Sequence, residues 1–220
     1  MAVEGIKALL TKTLFDQNPD REFYLEESFP LDWMYPQLEP HGLIMKINRQ
    51  PLPVLSDEIV QRDRDYWTQY ATPLIGGWLK PDTTIADIAA FAEKIQVNKD
   101  LTGFNGDPQF VQNEYWGKCF SKLRSSIGGM YVWRAQHAAD AAEEKRMTDA
   151  ADFAFRQAWA LCPCSVETVF RYVNLLVGEG RTADARLIAE TAARMPPMQG
   201  SSGAQLRDLV TKLKPSPQAR

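Results

Sequence analysis

Histidine and cysteine, the side chains most specific for acid–base, covalent or metal chemistry, are few in this 220-residue chain. They are two histidines, His41 and His137, and three cysteines, Cys119, Cys162 and Cys164. Cys162-Pro163-Cys164 is a C-x-C pair, one residue short of the spacing that redox dithiols and zinc knuckles usually have. With Cys119 and His137 it would supply four metal ligands, but buried structural thiols are the expectation, and three cysteines give no disulfide framework. Neither a metal nor a cofactor is expected. His41 lies in Pro40-His41-Gly42, downstream of Glu26, Glu27 and Asp32, the groups a small hydrolase would use for proton transfer. Adjacent carboxylates on a strand point to opposite faces, and no nucleophile is close in sequence. A surface turn is therefore expected at His41, with no catalytic residue in the chain. Gly76-Gly77 lacks the preceding strand and the spacing of a phosphate loop, and predicts a helix stop.

The elements that must position any site are most legible near the C-terminus, where the sequence repeats. Ala151, Phe155, Ala158 and Pro163 recur 34 positions on as Ala185, Ala189, Ala192 and Pro197. Small residues seven apart with a closing proline resemble stacked helix pairs of the tetratricopeptide kind. In the second unit Gly180 falls at the interhelical turn, with Tyr172, Val173 and Leu176 as apolar first-helix positions. In the first, Arg146 stands where that glycine is common. A helix from Ser201 or Ser202 through Leu206, Leu209, Val210 and Leu213 would cap the array. The resemblance implies a concave face lined by first-helix residues. These are Trp133, Gln136, Asp140 and Glu143 from the first unit, and Glu167, Phe170 and Asn174 from the second. Such a groove would take a peptide or protein partner.

Upstream, Val3, Ile6, Leu9, Leu10 and Leu14 share one face of a helix over 3–16, interrupted by Glu4, Lys7 and Lys12 as no signal peptide would be. Glu22–Glu26 and Leu43–Ile47 read as strands joined by a short helical stretch around Trp33, Met34 and Leu38, a strand-helix-strand unit whose strands would run parallel. Two strands leave open edges and an apolar face, so the remaining strands of the sheet are expected outside this chain. Ser56-Asp57-Glu58 opens a helix, Asp82 or Thr83 a second, and Pro108 a third, with Phe110, Val111, Tyr115, Trp116, Phe120 and Leu123 as its buried stripe. Ser125-Ser126-Ile127-Gly128-Gly129 predicts a kink, a break or a close helix crossing, with a long helix on either side. The fold class is thus mainly α, in three parts: a small α/β segment (1–50), a helical linker region (51–130) and tetratricopeptide-like repeats with a capping helix (131–220).

A net charge of −3 gives no basic surface for nucleic acid, and no apolar run reaches membrane-spanning length. Most Lys and Arg side chains are expected on solvated faces. The stretch Asp20–Ser28, Leu38–Gly42 and Leu43–Ile47 resembles the soluble C-terminal region of large bacterial multi-spanning membrane proteins akin to protein O-mannosyltransferases. The resemblance implies a membrane-associated domain on the extracytoplasmic side, whose partner is the membrane-embedded part of the same protein. Without it, a cytoplasmic protein is expected. The reading is a non-catalytic interaction or scaffold domain, the tail of a glycosyltransferase-like protein. The competing classes are a stand-alone hydrolase built on His41 and a purely structural domain.

Overall fold

A computed structural model describes residues 2–26, 29–196 and 203–213. Glu27, Ser28, Pro197, Ser201 and Ser202 lie outside the described residues, as do the side chains of Val3 and Glu4. The first helix, α1 (Ala2–Gln17), forms where the periodicity places it, yet its stripe of Ile6, Leu9, Leu10 and Leu14 faces outward. Phe15 is the buried anchor. Arg49 secures the end of this helix by donating to the carbonyls of Phe15, Asn18 and Arg21. Its guanidinium lies 4.3 Å and 5.1 Å from the centroids of the Phe15 and Phe23 rings.

Next comes a sheet of β1 (Phe23–Leu25), β2 (Leu38–His41) and β3 (Ile44–Ile47), in spatial order β1-β3-β2 with both pairings antiparallel. This corrects the expected parallel strand-helix-strand unit. Leu38-Glu39-Pro40-His41, read as a helix end and a turn, is an edge strand, where the N–H that proline lacks is not needed for the ladder. Gly42 and Leu43 make a two-residue hairpin, and Gly42, at φ +63°, supplies the left-handed residue that a turn with glycine first requires. Among the described residues between β1 and β2 the helical element is a single 3-10 turn, Tyr35–Gln37. The third strand therefore comes from within the chain, and Leu38, Met45 and Ile47 are buried on the face that helices cover.

Helix α2 (Asp57–Ile75) is capped by Ser56, which accepts from the Ile59 N–H, and buries Val60, Asp63, Trp67, Ala71 and Ile75 at helical spacing. It stops at Gly76, φ +91°, where a Cβ would fall 2.3 Å from Asn105 Oδ1. Helix α3 (Ile85–Ala92) is capped at Thr84, not at Asp82 or Thr83 as expected, because Thr84 and Asp87 cap each other's backbone N–H groups, and it ends in a π turn, Glu93–Val97. Helix α4 (Pro108–Gln112) is separated from α5 (Glu114–Gln136) by Asn113, whose side chain accepts from the Trp116 N–H. That break resets the helical phase. Phe110 and Val111 are buried as expected, whereas Tyr115 and Trp116, assigned to the same buried stripe, are exposed.

Helix α5 then runs without interruption through Ser125–Gly129, and the paired glycines mark a close crossing. A Cβ on Gly128 would meet the Phe155 ring at 3.0 Å, and one on Gly117 the Leu161 carbonyl at 3.0 Å, both on the antiparallel helix α6 (Ala141–Leu161). Each glycine costs about 1 kcal/mol of helix propensity, and contact between the two helices offsets it. A buried polar cluster joins α5 to α2 and α6. Arg124 Nη1 is 2.9 Å from both oxygens of Asp63, Arg124 Nε donates to Gln157 at 2.9 Å, and the Tyr131 hydroxyl donates to Asp63 at 2.9 Å.

Helices α7 (Val166–Gly178) and α8 (Thr182–Arg194) form the last antiparallel pair, turning at Gly180, φ +72°. Ala151, Phe155 and Ala158 on α6 and Ala185, Ala189 and Ala192 on α8 are all buried, and α9 (Gly203–Lys212) covers α8 with Leu206 and Leu209. A single hydrophobic core extends from Phe15 to Leu209 across all three expected segments, in a mainly α fold.

Candidate functional site

Where α5, α6 and α7 diverge they leave a groove of about 480 Å³, bordered by Tyr35, Trp133, Gln136, Glu144, Arg171 and Asn174 among others. One wall carries Tyr35 and Trp133, and His137 stacks on Trp133 without lining the groove itself. Trp133 lies 5.2 Å from Tyr35 and 4.0 Å from His137, each at 15° between planes, and the His137 Nδ1 is 2.8 Å from the Trp133 carbonyl. The floor is Arg171, which donates to the Ser125 carbonyl at 3.0 Å and sits 4.4 Å from the Phe29 ring centroid. It reaches that place because Gly129 has no side chain, since a Cβ there would stand 2.7 Å from Arg171 Nη1. Burial pulls the Arg171 pKa down and pushes that of Tyr35 up, while Glu167, 3.6 Å from Arg171, favours the charged guanidinium. The rim carries two exposed carboxylates, Glu144 and Glu179, and two exposed carboxamides, Gln136 and Asn174.

Of the residues assigned to a concave face from sequence, Trp133, Gln136 and Asn174 border this groove. Phe170 packs against the core, and Glu167 reaches the groove only through Arg171. Asp140 and Glu143 belong to the second helix of the first pair, not the first. The Asp140 carboxylate caps α6 by accepting from Ala142 and Glu143 N–H, and Glu143 pairs with Arg146 at 2.6 Å. The 34-residue offset placed that turn at Arg146, but the aspartate cap is the stronger local signal and starts the helix earlier. Tyr35, Phe29 and Arg171 were not assigned to the groove from sequence. The aromatic clustering of 23–35 was visible, but nothing in it said which helix it would meet.

His41 stands at the end of β2 with its ring 5.2 Å from Tyr24, in an open cleft with Arg62 and Tyr66. Of the carboxylates grouped with it, Glu27 lies outside the described residues, and the other two have neighbours of their own. Glu26 pairs with Lys122 at 2.9 Å, and Asp32 lies near enough to Tyr35 to raise its pKa. Cys162 and Cys164 have their sulfurs 3.6 Å apart. Cys119 is near the other end of α5 from His137, roughly 27 Å away at 1.5 Å per residue, so these four groups cannot share a metal. Among the described residues no cluster of three or more His, Cys, Asp or Glu could hold one. Nor is any described helix long and apolar enough to cross a membrane.

Compared with protein-family models, curated proteins and solved structures, the chain gives no match.

Proposed function

We propose that this chain is a non-catalytic interaction module that takes a short peptide segment in the groove between α5, α6 and α7. The observation that carries the reading is the composition of that groove: the stacked Trp133 and Tyr35 rings, two exposed carboxamides and an acidic rim. Aromatic faces supply large contact area with little entropy loss on binding. Gln136 and Asn174 each present a donor and an acceptor to a peptide main chain. Glu144 and Glu179 favour a ligand bearing Lys or Arg beside an aliphatic or aromatic anchor. The resemblance of residues 20–47 to the tails of O-mannosyltransferase-like proteins makes a membrane-embedded portion of the same protein the partner of choice.

The test is selection of peptides on the immobilised protein from a random displayed library, followed by fluorescence anisotropy on the enriched sequences. Basic peptides with one large apolar residue should emerge, and Trp133→Ala combined with Asn174→Ala should weaken them at least tenfold, a loss of about 1.4 kcal/mol. Equal binding by the double variant, or no enrichment at all, would leave a purely structural domain as the better account.

A further inference from the structure

The loop between α6 and α7 holds two thiols in contact. Cys162 is the C-cap of α6, with φ −150° and ψ 86°, and Cys164 directly precedes Ser165, the N-cap of α7. Three hydrogen bonds fix the loop between these helix ends. The Cys162 N–H donates to Ala158 at 3.3 Å, the Ser165 N–H to the Cys162 carbonyl at 3.0 Å, and the Trp159 indole to the Pro163 carbonyl at 3.2 Å. In this frame both side chains converge, and their sulfurs lie 3.6 Å apart. A disulfide needs about 2.05 Å, so the sulfurs must approach by about 1.5 Å from their contact distance.

The two thiols are not equivalent. Cys162 is buried, and Gly117 on α5 backs it so closely that a Cβ there would lie 3.6 Å from its own Cβ. Cys164 is partly open to solvent. The hydrogen bond from Cys162 holds the Cys164 thiol below the ordinary range, with Lys99 assisting and burial and Glu114 opposing. Sharing its proton with Cys164, together with burial, pushes Cys162 up. A partly exposed thiol whose pKa is lowered, in contact with a buried thiol, is the arrangement of an attacking and a resolving cysteine.

We propose that Cys162 and Cys164 form a dithiol site that closes to an intramolecular disulfide by exchange with a small disulfide such as oxidised glutathione. The Cys164 thiolate attacks one sulfur of the small disulfide, forming a mixed disulfide and expelling one thiolate. Cys162 gives up its proton, which the expelled thiolate accepts, and its sulfur attacks Cys164 Sγ, releasing the second small thiolate. Two electrons pass from the cysteine sulfurs to the small disulfide, which leaves as one thiol and one thiolate, the thiolate then taking from solvent the proton that Cys164 gave up on ionising.

The test is incubation of the full chain in glutathione buffers of rising oxidised-to-reduced ratio, acid quenching, alkylation and mass analysis of the peptides. Residues 162 and 164 should together lose two hydrogens and become refractory to alkylation, with no glutathione retained, while Cys119 stays alkylatable. Cys162→Ser should trap glutathione stably on Cys164, since the resolving sulfur is gone. The proposal is overturned if both cysteines stay alkylatable in fully oxidising buffer, if the parent chain keeps glutathione on Cys164, or if Cys119 is the thiol that reacts. The parent chain alone decides the matter should the serine variant fail to fold.

Discussion

Replacing Asp63 by Ala removes the acceptor at the centre of the buried polar cluster. Asp63 and Arg124 have side chains only 2% and 1% exposed, so water cannot solvate the guanidinium once its partner is gone. Arg124 would keep Gln157 at 2.9 Å and the Trp67 ring at 5.2 Å, neither of which carries negative charge. The Tyr131 hydroxyl would lose the acceptor it has at 2.9 Å. Breaking a buried pair by removing one member costs about 3–5 kcal/mol, because an uncompensated charge remains. We expect roughly 4 kcal/mol for Asp63→Ala, of which the orphaned hydroxyl accounts for about 1. That is a large part of the roughly 5–15 kcal/mol that holds a typical protein folded. Urea unfolding followed by circular dichroism should show the midpoint falling at constant slope. The combined variant Asp63→Leu, Arg124→Met, Tyr131→Phe should recover at least half the loss, since no buried charge is left unpaired. A single-variant cost under about 1 kcal/mol, or a combined variant no more stable than the single, would refute this account of the cluster.

Two further outcomes follow from burial. Ala185 is fully buried on α8, so Ala185→Arg should lower stability by several kcal/mol through overpacking and desolvation, and a melting midpoint within about a degree of the parent would count against close packing there. Burial, with a neighbouring carboxylate, raises the pKa of the Tyr131 and Tyr172 hydroxyls well above their ordinary value. The folded state thus holds these protons more tightly than the unfolded chain, so their contribution is complete below pH of about 10 and is lost as pH rises beyond it. Unfolding midpoints measured from neutral pH upward should fall above that point, and a midpoint that stays level while the phenols ionise would contradict it.

Local signals carried much of the fold. Ser56 caps α2, Gly76 ends it, Gly180 turns α7 into α8, and Leu206 and Leu209 cover α8, all where the residue types place them. The readings that failed needed tertiary information. Pro40 argues against a strand unless that strand is an edge, and only the pairing with β3 shows that it is. The glycines at 128 and 129 leave a kink, a break or a close crossing open, and the crossing is selected only by Phe155, whose ring occupies the space of the missing side chain at Gly128. At the groove, the helical offset brought out Trp133, Gln136 and Asn174, but Arg171 depends on the space above Gly129 and on Phe29. No periodicity within one helix encodes that meeting.

Three arginines, Arg134, Arg146 and Arg156, depart from the solvated-face expectation by gathering the carbonyls of irregular segments, and this bears on the order in which the chain can mature. Arg134 on α5 donates to Leu52, Pro36 and Leu38, Arg146 on α6 to Leu55, and Arg156 to Pro81 and Thr83. The donors lie between 73 and 98 positions downstream of these acceptors. A loop carbonyl that lacks a protein partner stays hydrated, because burying it bare is too costly. On a ribosome the segments around residues 36–55 and 81–83 must therefore wait, wet and unsettled, until α5 and α6 have left the exit tunnel. The N-terminal sheet is made early and fastened late. The carbonyl of Pro36 beside it finds its side-chain donor on a guanidinium encoded almost a hundred codons downstream.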